Sequence, residues 1–144
     1  MRKITKFIVF VLIVSATSIA QAKDLPDVLV NGFGALKEVG AKPALEAWIK
    51  GSAIEGSKEA LSQSNTLSQI GDFLGKYQGY ELVKKNAISS KSNVYLVAMN
   101  YEHGILYAKF FTVVLSDGKE ILQNFKFHTE VEQVWPASAI YGSK

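Results

Sequence analysis

His128 and Glu130 lie two residues apart in an apolar, alternating stretch near the C-terminus. On a strand both side chains would point to one face. Histidine titrates near neutral pH, so an imidazole beside a carboxylate is a candidate general base or a pH-sensitive contact. Tyr101 is the third weak candidate for proton chemistry. No catalytic motif accompanies these three. A zinc site needs three or four protein ligands. The chain offers two histidines, His103 and His128, widely separated, and no cysteine. We therefore expect neither metal nor cofactor, no thiolate chemistry and no disulfide.

The elements that would carry these residues run from Asn93 to Trp135. Asp117-Gly118 is a hairpin signal, because both central positions of a type I′ turn need positive φ. With a two-residue loop, Ser116 faces Lys119, and Phe110, Ala108 and Leu106 face Phe125, Phe127 and Thr129. Leu106, Ala108, Phe110, Val114, Ile121, Phe125, Phe127 and Val131 then share an apolar face. The other face is mixed. It sets Ile105, Tyr107, Lys109, Phe111 and Val113 against Glu130, His128, Lys126, Asn124 and Leu122. Lys109 faces Lys126, an unfavourable pair that invites a bulge nearby.

A turn at His103-Gly104 brings Asn93–Glu102 into the sheet, with Tyr95, Val97, Met99 and Tyr101 on the apolar face. The alternative register buries Asn100 and Glu102 there, at about 1–3 kcal/mol for each unpaired group. Asn100, Tyr107 and His128 are then expected in one row of the mixed face, with Glu102 and Glu130 in the next.

The chain opens with Arg2, Lys3 and Lys6, an apolar run from Phe7 to Val14, and Ala20-Gln21-Ala22. This is the pattern of a secretory leader cleaved after Ala22, too short in its apolar part to span a bilayer. The leader predicts an exported protein, periplasmic or secreted, with no membrane attachment after cleavage. Its three basic residues account for the formal net charge of +3. The mature chain is balanced, and its basic residues are all lysine. Without arginine forks for phosphates or base edges, nucleic-acid binding is not expected.

Asp24 and Pro26 mark a helix start, continued by Leu29, Phe33 and Leu36 and ended by Gly40. Pro43 opens a second helix with Leu45, Trp48 and Ile49 on its apolar stripe, closed by Gly51. Ser57 caps at most a short turn through Leu61. Thr66-Leu67-Ser68-Gln69 fits a capping box and predicts a third helix carrying Leu67, Ile70, Leu74 and Tyr77. Tyr80–Ser90 reads as a first strand with a lysine-bearing edge. Pro136 stops the last strand. The layout is a leader (1–22), one domain (23–136) and a loose tail (137–144). The fold class is α+β, with three N-terminal helices on one face of a curved, four-stranded antiparallel meander.

This order of elements, the exit Gly75-Lys76-Tyr77-Gln78-Gly79-Tyr80 from helix to strand, and a long last strand ending Phe127 to Trp135-Pro136 resemble the nuclear transport factor two-like, cystatin-like superfamily. The resemblance is one of pattern over most of residues 24–136. It implies a cone with a pocket between helices and sheet, and in many members a dimer through the sheet. The superfamily includes ketosteroid isomerases, polyketide cyclases and non-enzymatic binding domains, and fold alone does not choose among them. In its enzymes Asp, Tyr or His stands inside the cone. Here the expected cone face carries no acid.

Trp48, Tyr95, Met99, Tyr101, Phe110, Gln123, Phe127 and Trp135 are the candidates to line a small apolar ligand. Leu96, Asn100, Tyr107, Phe111, Val113, Leu122 and His128 are the candidate outer interface, because apolar groups rimmed by charge mark partner surfaces. The first expectation is an exported, non-enzymatic binding domain, associating with itself or another protein through that face. An enzyme of the isomerase or cyclase type, using Tyr101, Tyr95 or an inward His128, is the alternative. A secreted inhibitor or immunity-type protein is the second alternative.

Overall fold

The computed structural model describes residues 24–142. The leader expectation lies outside those residues. Three helices precede a four-stranded antiparallel sheet in the order β1-β2-β3-β4. No helix among the described residues is long and apolar enough to cross a membrane.

Helix α1 spans Asp27–Glu38 and starts after Pro26. Its buried face is Leu29, Gly32, Phe33 and Leu36, the spacing of one helical stripe. Helix α2 spans Ala41–Ile49, with Pro43 in the first turn, where a missing N–H costs nothing. Helix α3 spans Lys58–Leu74 and corrects the expected start at Thr66. Ser57 is the N-cap, its hydroxyl accepting from Ala60 N–H at 3.1 Å. The Thr66 hydroxyl instead donates back to Ser62 carbonyl at 3.0 Å, inside the helix. Ala60, Ser64, Leu67 and Leu74 form the buried stripe. Small residues in its first half hid the periodicity.

The strands are β1 (Tyr77–Ser89), β2 (Ser92–Tyr101), β3 (Gly104–Val114) and β4 (Glu120–His128). Tyr77 thus belongs to a strand, not to α3. Tyr101 pairs with Gly104 and Asn100 with Ile105, two residues from the expected register. A slip of two preserves the faces, so Tyr95, Val97, Met99 and Tyr101 do point inward. The slip has a local cause. Glu102 N–H donates to Lys76 carbonyl and His103 N–H to Leu74 carbonyl, which fastens the turn to the α3–β1 connection. Tyr107 therefore lies beside Ala98 rather than Asn100.

The β3–β4 hairpin differs more. Gly118 N–H donates to Leu115 carbonyl, and Leu115 N–H to Lys119 carbonyl. The loop therefore has three residues, with positive φ only at Gly118. The Asp117 carboxylate accepts from Lys119 N–H at 2.9 Å. This shifts the register by one, and a bulge between Phe111 and Thr112 pairings, at Gln123, shifts it back. Phe110 pairs with Phe125 and Ala108 with Phe127 as expected, but Thr112 pairs with Leu122 and Val114 with Glu120. Leu122, expected on the outer face, is fully buried inside, and Ile121 takes the outer parity. The bulge leaves the Lys109–Lys126 pair intact.

Strand β4 ends at His128 rather than Trp135. A 3-10 turn (Val131–Gln133) and a short helix α4 (Ala137–Tyr141) replace the expected strand end and tail. This C-terminal strap folds over the outer face. Val134 and Trp135 bury Leu96 and Ala98, with Val131, Ala139 and Ile140 packed alongside.

The helices cover the inner face and fill it with aromatics. Phe33 meets Trp48, Phe110 and Tyr80 at centroid distances of 5.2, 5.7 and 4.2 Å. Trp48 is wholly buried, and its indole N–H donates to Leu29 carbonyl at 3.2 Å. Gly32 admits this ring, since a Cβ there would stand 2.0 Å from it. At Gly34 a Cβ would meet nothing within 4 Å. Helix propensity favours alanine over glycine by about 1 kcal/mol at either position. Overpacking typically costs about 1–3 kcal/mol, enough to outweigh propensity at Gly32 only. Urea unfolding should therefore show Gly34→Ala more stable than the parent and Gly32→Ala less stable. The same sign for both would remove the indole–backbone contact from the account.

Candidate functional site

The three candidates for proton chemistry do not meet. Tyr101 lies on the inner face in the core, while His128 is opposite Tyr107 on the outer side. The His128 ring turns back on its own chain, Nδ1 accepting from Glu130 N–H at 2.9 Å. Glu130 itself is exposed. Among the described residues no group of three or more His, Cys, Asp or Glu side chains comes together.

The cone offers packing rather than space. Trp48, Tyr95, Met99 and Phe110 are fully buried or within 1% of it, and Tyr101 and Phe127 nearly so. None of these six lines a cleft described below. Gln123 is the exposed bulge residue and borders a cleft of about 260 Å³ between α3 and β4. Trp135 is on the opposite side of the sheet from the cone.

One inward acid escaped the sequence reading. Glu120 Oε1 accepts from Tyr95 hydroxyl at 2.9 Å, from Asn93 Nδ2 at 3.1 Å and from Thr112 hydroxyl. The shifted hairpin register brings it there. Lys85 Nζ stands 5.5 Å from the Tyr95 ring centroid. Three donors on one oxygen hold this carboxylate as a structural acceptor. At the other end of the sheet Tyr77 and Tyr101 pack edge to face at 5.5 Å, and both hydroxyls are buried without a partner.

The outer face carries the larger opening. A groove of about 520 Å³ runs between the sheet and the strap. Its apolar floor and wall are Val94, Leu96, Phe111, Val134 and Trp135, and Lys84, Lys109 and Glu132 stand at its border. Trp135 fixes the strap. Its indole N–H donates to Ala108 carbonyl at 3.0 Å, and its ring meets Tyr107 edge-on at 5.1 Å. Tyr141 hydroxyl donates to Glu132 at 3.0 Å. Smaller clefts lie between α1 and β1 (about 300 Å³) and between α2 and α3 (about 290 Å³).

Of the expected interface, Phe111 lines the groove and Leu96 is its buried floor. Tyr107 supports the strap, and Leu122 belongs to the core. Asn100, Val113 and His128 are half-buried and border none of these clefts. The strap itself was legible in principle. Val131, Val134 and Trp135 follow the i, i+3, i+4 spacing of a helical turn rather than the alternation of a strand.

The chain is similar to an NTF-2-like protein. That protein, from Silicibacter pomeroyi and of unknown function, has a crystal structure that matches with a TM-score of 0.47 and 11% sequence identity, over 80% of this chain and 99% of that one. No family model and no curated protein matches the chain.

Burial raises the Tyr101 phenol from 10.0 to about 12. Burial also raises Tyr77, reinforced by Tyr101 and Tyr80. Tyr95 is raised by burial and then by its bond to Glu120. A folded-state pKa above the unfolded one means that the fold favours the protonated phenols. The Tyr101 contribution is complete below pH 10.0, the unfolded value, and is lost as pH climbs toward 12, while those of Tyr77 and Tyr95 begin to fall in the same range. The urea midpoint should fall across that window, and less so in Tyr101→Phe. A midpoint flat through it would contradict the burial of these hydroxyls.

Proposed function

We propose that this chain is an exported, non-enzymatic binding domain that takes a small ligand into the outer-face groove. One contrast carries the reading. The cone, where a ligand was expected, is closed by the Phe33–Trp48–Phe110 block, while the opposite face holds an open groove of about 520 Å³. Ligand sites are concave, largely apolar, of about 300–1,000 Å³, with a few polar groups at defined points. The groove falls in that size range, with an apolar floor and a polar border. Glu120 favours an enzyme less than its inward position suggests, because three donors hold its Oε1 and it borders no described cleft.

A second copy is a poorer occupant. Lys84, Lys109 and Lys126 share the outer face, and a two-fold contact across it would bring like charges together. Export rests on the Arg2–Ala22 pattern.

Nile red, an uncharged apolar dye, should brighten on the wild-type chain. Phe111→Asp and the groove-filling Ser138→Trp should each weaken it by about tenfold or more at an unchanged unfolding midpoint. Equal binding by both variants would rule out the groove. Sedimentation should give a monomer; a dimer abolished by Phe111→Asp would give the face to a second copy instead. For export, the full chain made in a bacterial host should be recovered outside the cytoplasm with Lys23 at its N-terminus. A cytoplasmic product still beginning at Met1 would reject it.

A further inference from the structure

The strand registers align one row across the outer face: Lys84 beside Leu96, Leu96 beside Lys109, and Lys109 beside Lys126. Neighbouring strands are about 4.8 Å apart, so the three lysine stems fall within roughly 15 Å. Lys109 and Lys126 are directly opposed, an arrangement that is destabilising by itself. The row depends on a bulge. Leu82 pairs with Val97 and Lys84 with Leu96, so Val83 is the inserted residue. Unbulged pairing would set Val83 in the row and turn Lys84 inward. Strand β1 therefore departs from regular pairing at the point that brings Lys84 into the row; unbulged, Lys85 would instead face outward beside Val94.

The row crosses the groove. Leu96 is part of its floor, and Lys84 and Lys109 border it. Val94 and Phe111 occupy the next row toward the hairpin ends, paired with each other. Lys109 is half-buried, its Nζ held 5.5 Å from the Phe111 ring centroid. Charge and apolar surface are thus adjacent within one cavity. Glu132, the acid at the border, accepts from Tyr141.

We propose that the groove binds a monomeric medium-chain alkyl carboxylate. Its head would meet the Lys84–Lys109 side, and its alkyl chain would lie over Val94 and Phe111 under the strap. The proposal rests on the groove being the ligand site and adds the ligand's class. Charge complementarity selects an anion, and the apolar floor selects an amphiphile over an inorganic one. An extended acidic peptide would add to a sheet edge, whereas this groove lies on a sheet face.

Calorimetry with decanoate, decanol and decyltrimethylammonium, all below micelle formation, separates the possibilities. Decanoate should bind about tenfold or more tighter than decanol, with the cation weakest. Added salt should weaken decanoate and leave decanol unchanged. The Lys84→Gln/Lys109→Gln double variant should erase the difference between decanoate and decanol while keeping decanol affinity and without lowering the unfolding midpoint. Decanol binding as tightly as decanoate, with both lost in Phe111→Asp, would overturn the anion and leave the groove standing. No amphiphile bound, together with no Nile red response, would overturn both readings. Co-sedimentation with phosphatidylglycerol vesicles and no uptake of decanoate would assign the lysines to a membrane surface and overturn the free ligand.

Discussion

Pleat parity in the β3–β4 hairpin is the constraint on which the rest of the structure depends. Strand side chains alternate with period two, so one inserted residue exchanges the two faces. This hairpin contains two such shifts. The three-residue loop closed by Leu115 and Lys119 makes the first, and the bulge at Gln123 reverses it. Only the short segment between them is inverted. There Leu122 enters the core and Glu120 turns inward. An inward carboxylate is tolerable only when hydrogen bonds replace its water. Asn93, Tyr95 and Thr112 supply them, and the same oxygen satisfies the buried Thr112 and Tyr95 hydroxyls in return. Beyond the bulge, Phe125 and Phe127 stack under the helices at 5.7 Å and Lys126 looks out.

The two ends of the sheet treat polarity differently. At the hairpin end the phenol of Tyr95 has a charged acceptor. At the other end Tyr77 and Tyr101 bury hydroxyls with none. An unmade bond of this kind costs about 1–3 kcal/mol. An edge-to-face aromatic pair returns about 0.5–1.5 kcal/mol, so the pair offsets only part of it. The remainder must come from the surrounding apolar burial, in which Leu74 also takes part. Such an end is held by packing, and its phenols stay neutral because burial disfavours the phenolate.

How far this could be read from the residues depended on which signal each element used. The α+β class, the element order and the inward phenylalanines followed from long-range alternation, which survives local irregularity. The helix from Lys58 escaped because Ala60 and Ser64 fill its stripe, and small residues give little periodic contrast. Glu120 escaped because Asp117-Gly118 suits both a two-residue turn and a three-residue loop; the three-residue form is closed by the Leu115–Lys119 and Gly118–Leu115 backbone bonds, with the Asp117 carboxylate accepting from Lys119 N–H. The strap escaped because Val131 continues the parity of Phe125 and Phe127, although its spacing to Val134 and Trp135 is helical. The filled cone was not legible in any local pattern. Whether Trp48 lines a pocket or plugs it depends on Gly32, a contact between two helices.

The strap also explains why one sheet face can be both core and open groove. Leu96 and Ala98 need cover, and Val134 with Trp135 provides it. Val94 and Phe111, one row further, are left half-exposed beside Lys84 and Lys109. In an empty groove the ammonium groups are hydrated and their flexible stems can splay apart in high-dielectric water, which limits the repulsion within the row. An occupant that spreads alkyl surface over Phe111 displaces that water. The effective dielectric falls, and each remaining charge–charge interaction strengthens in proportion. Repulsion among the lysines would then grow unless the occupant carried the opposite charge. A row of this kind is nearly silent when solvated and selective when covered, and that asymmetry ties its position over an apolar floor to the charge of the proposed occupant.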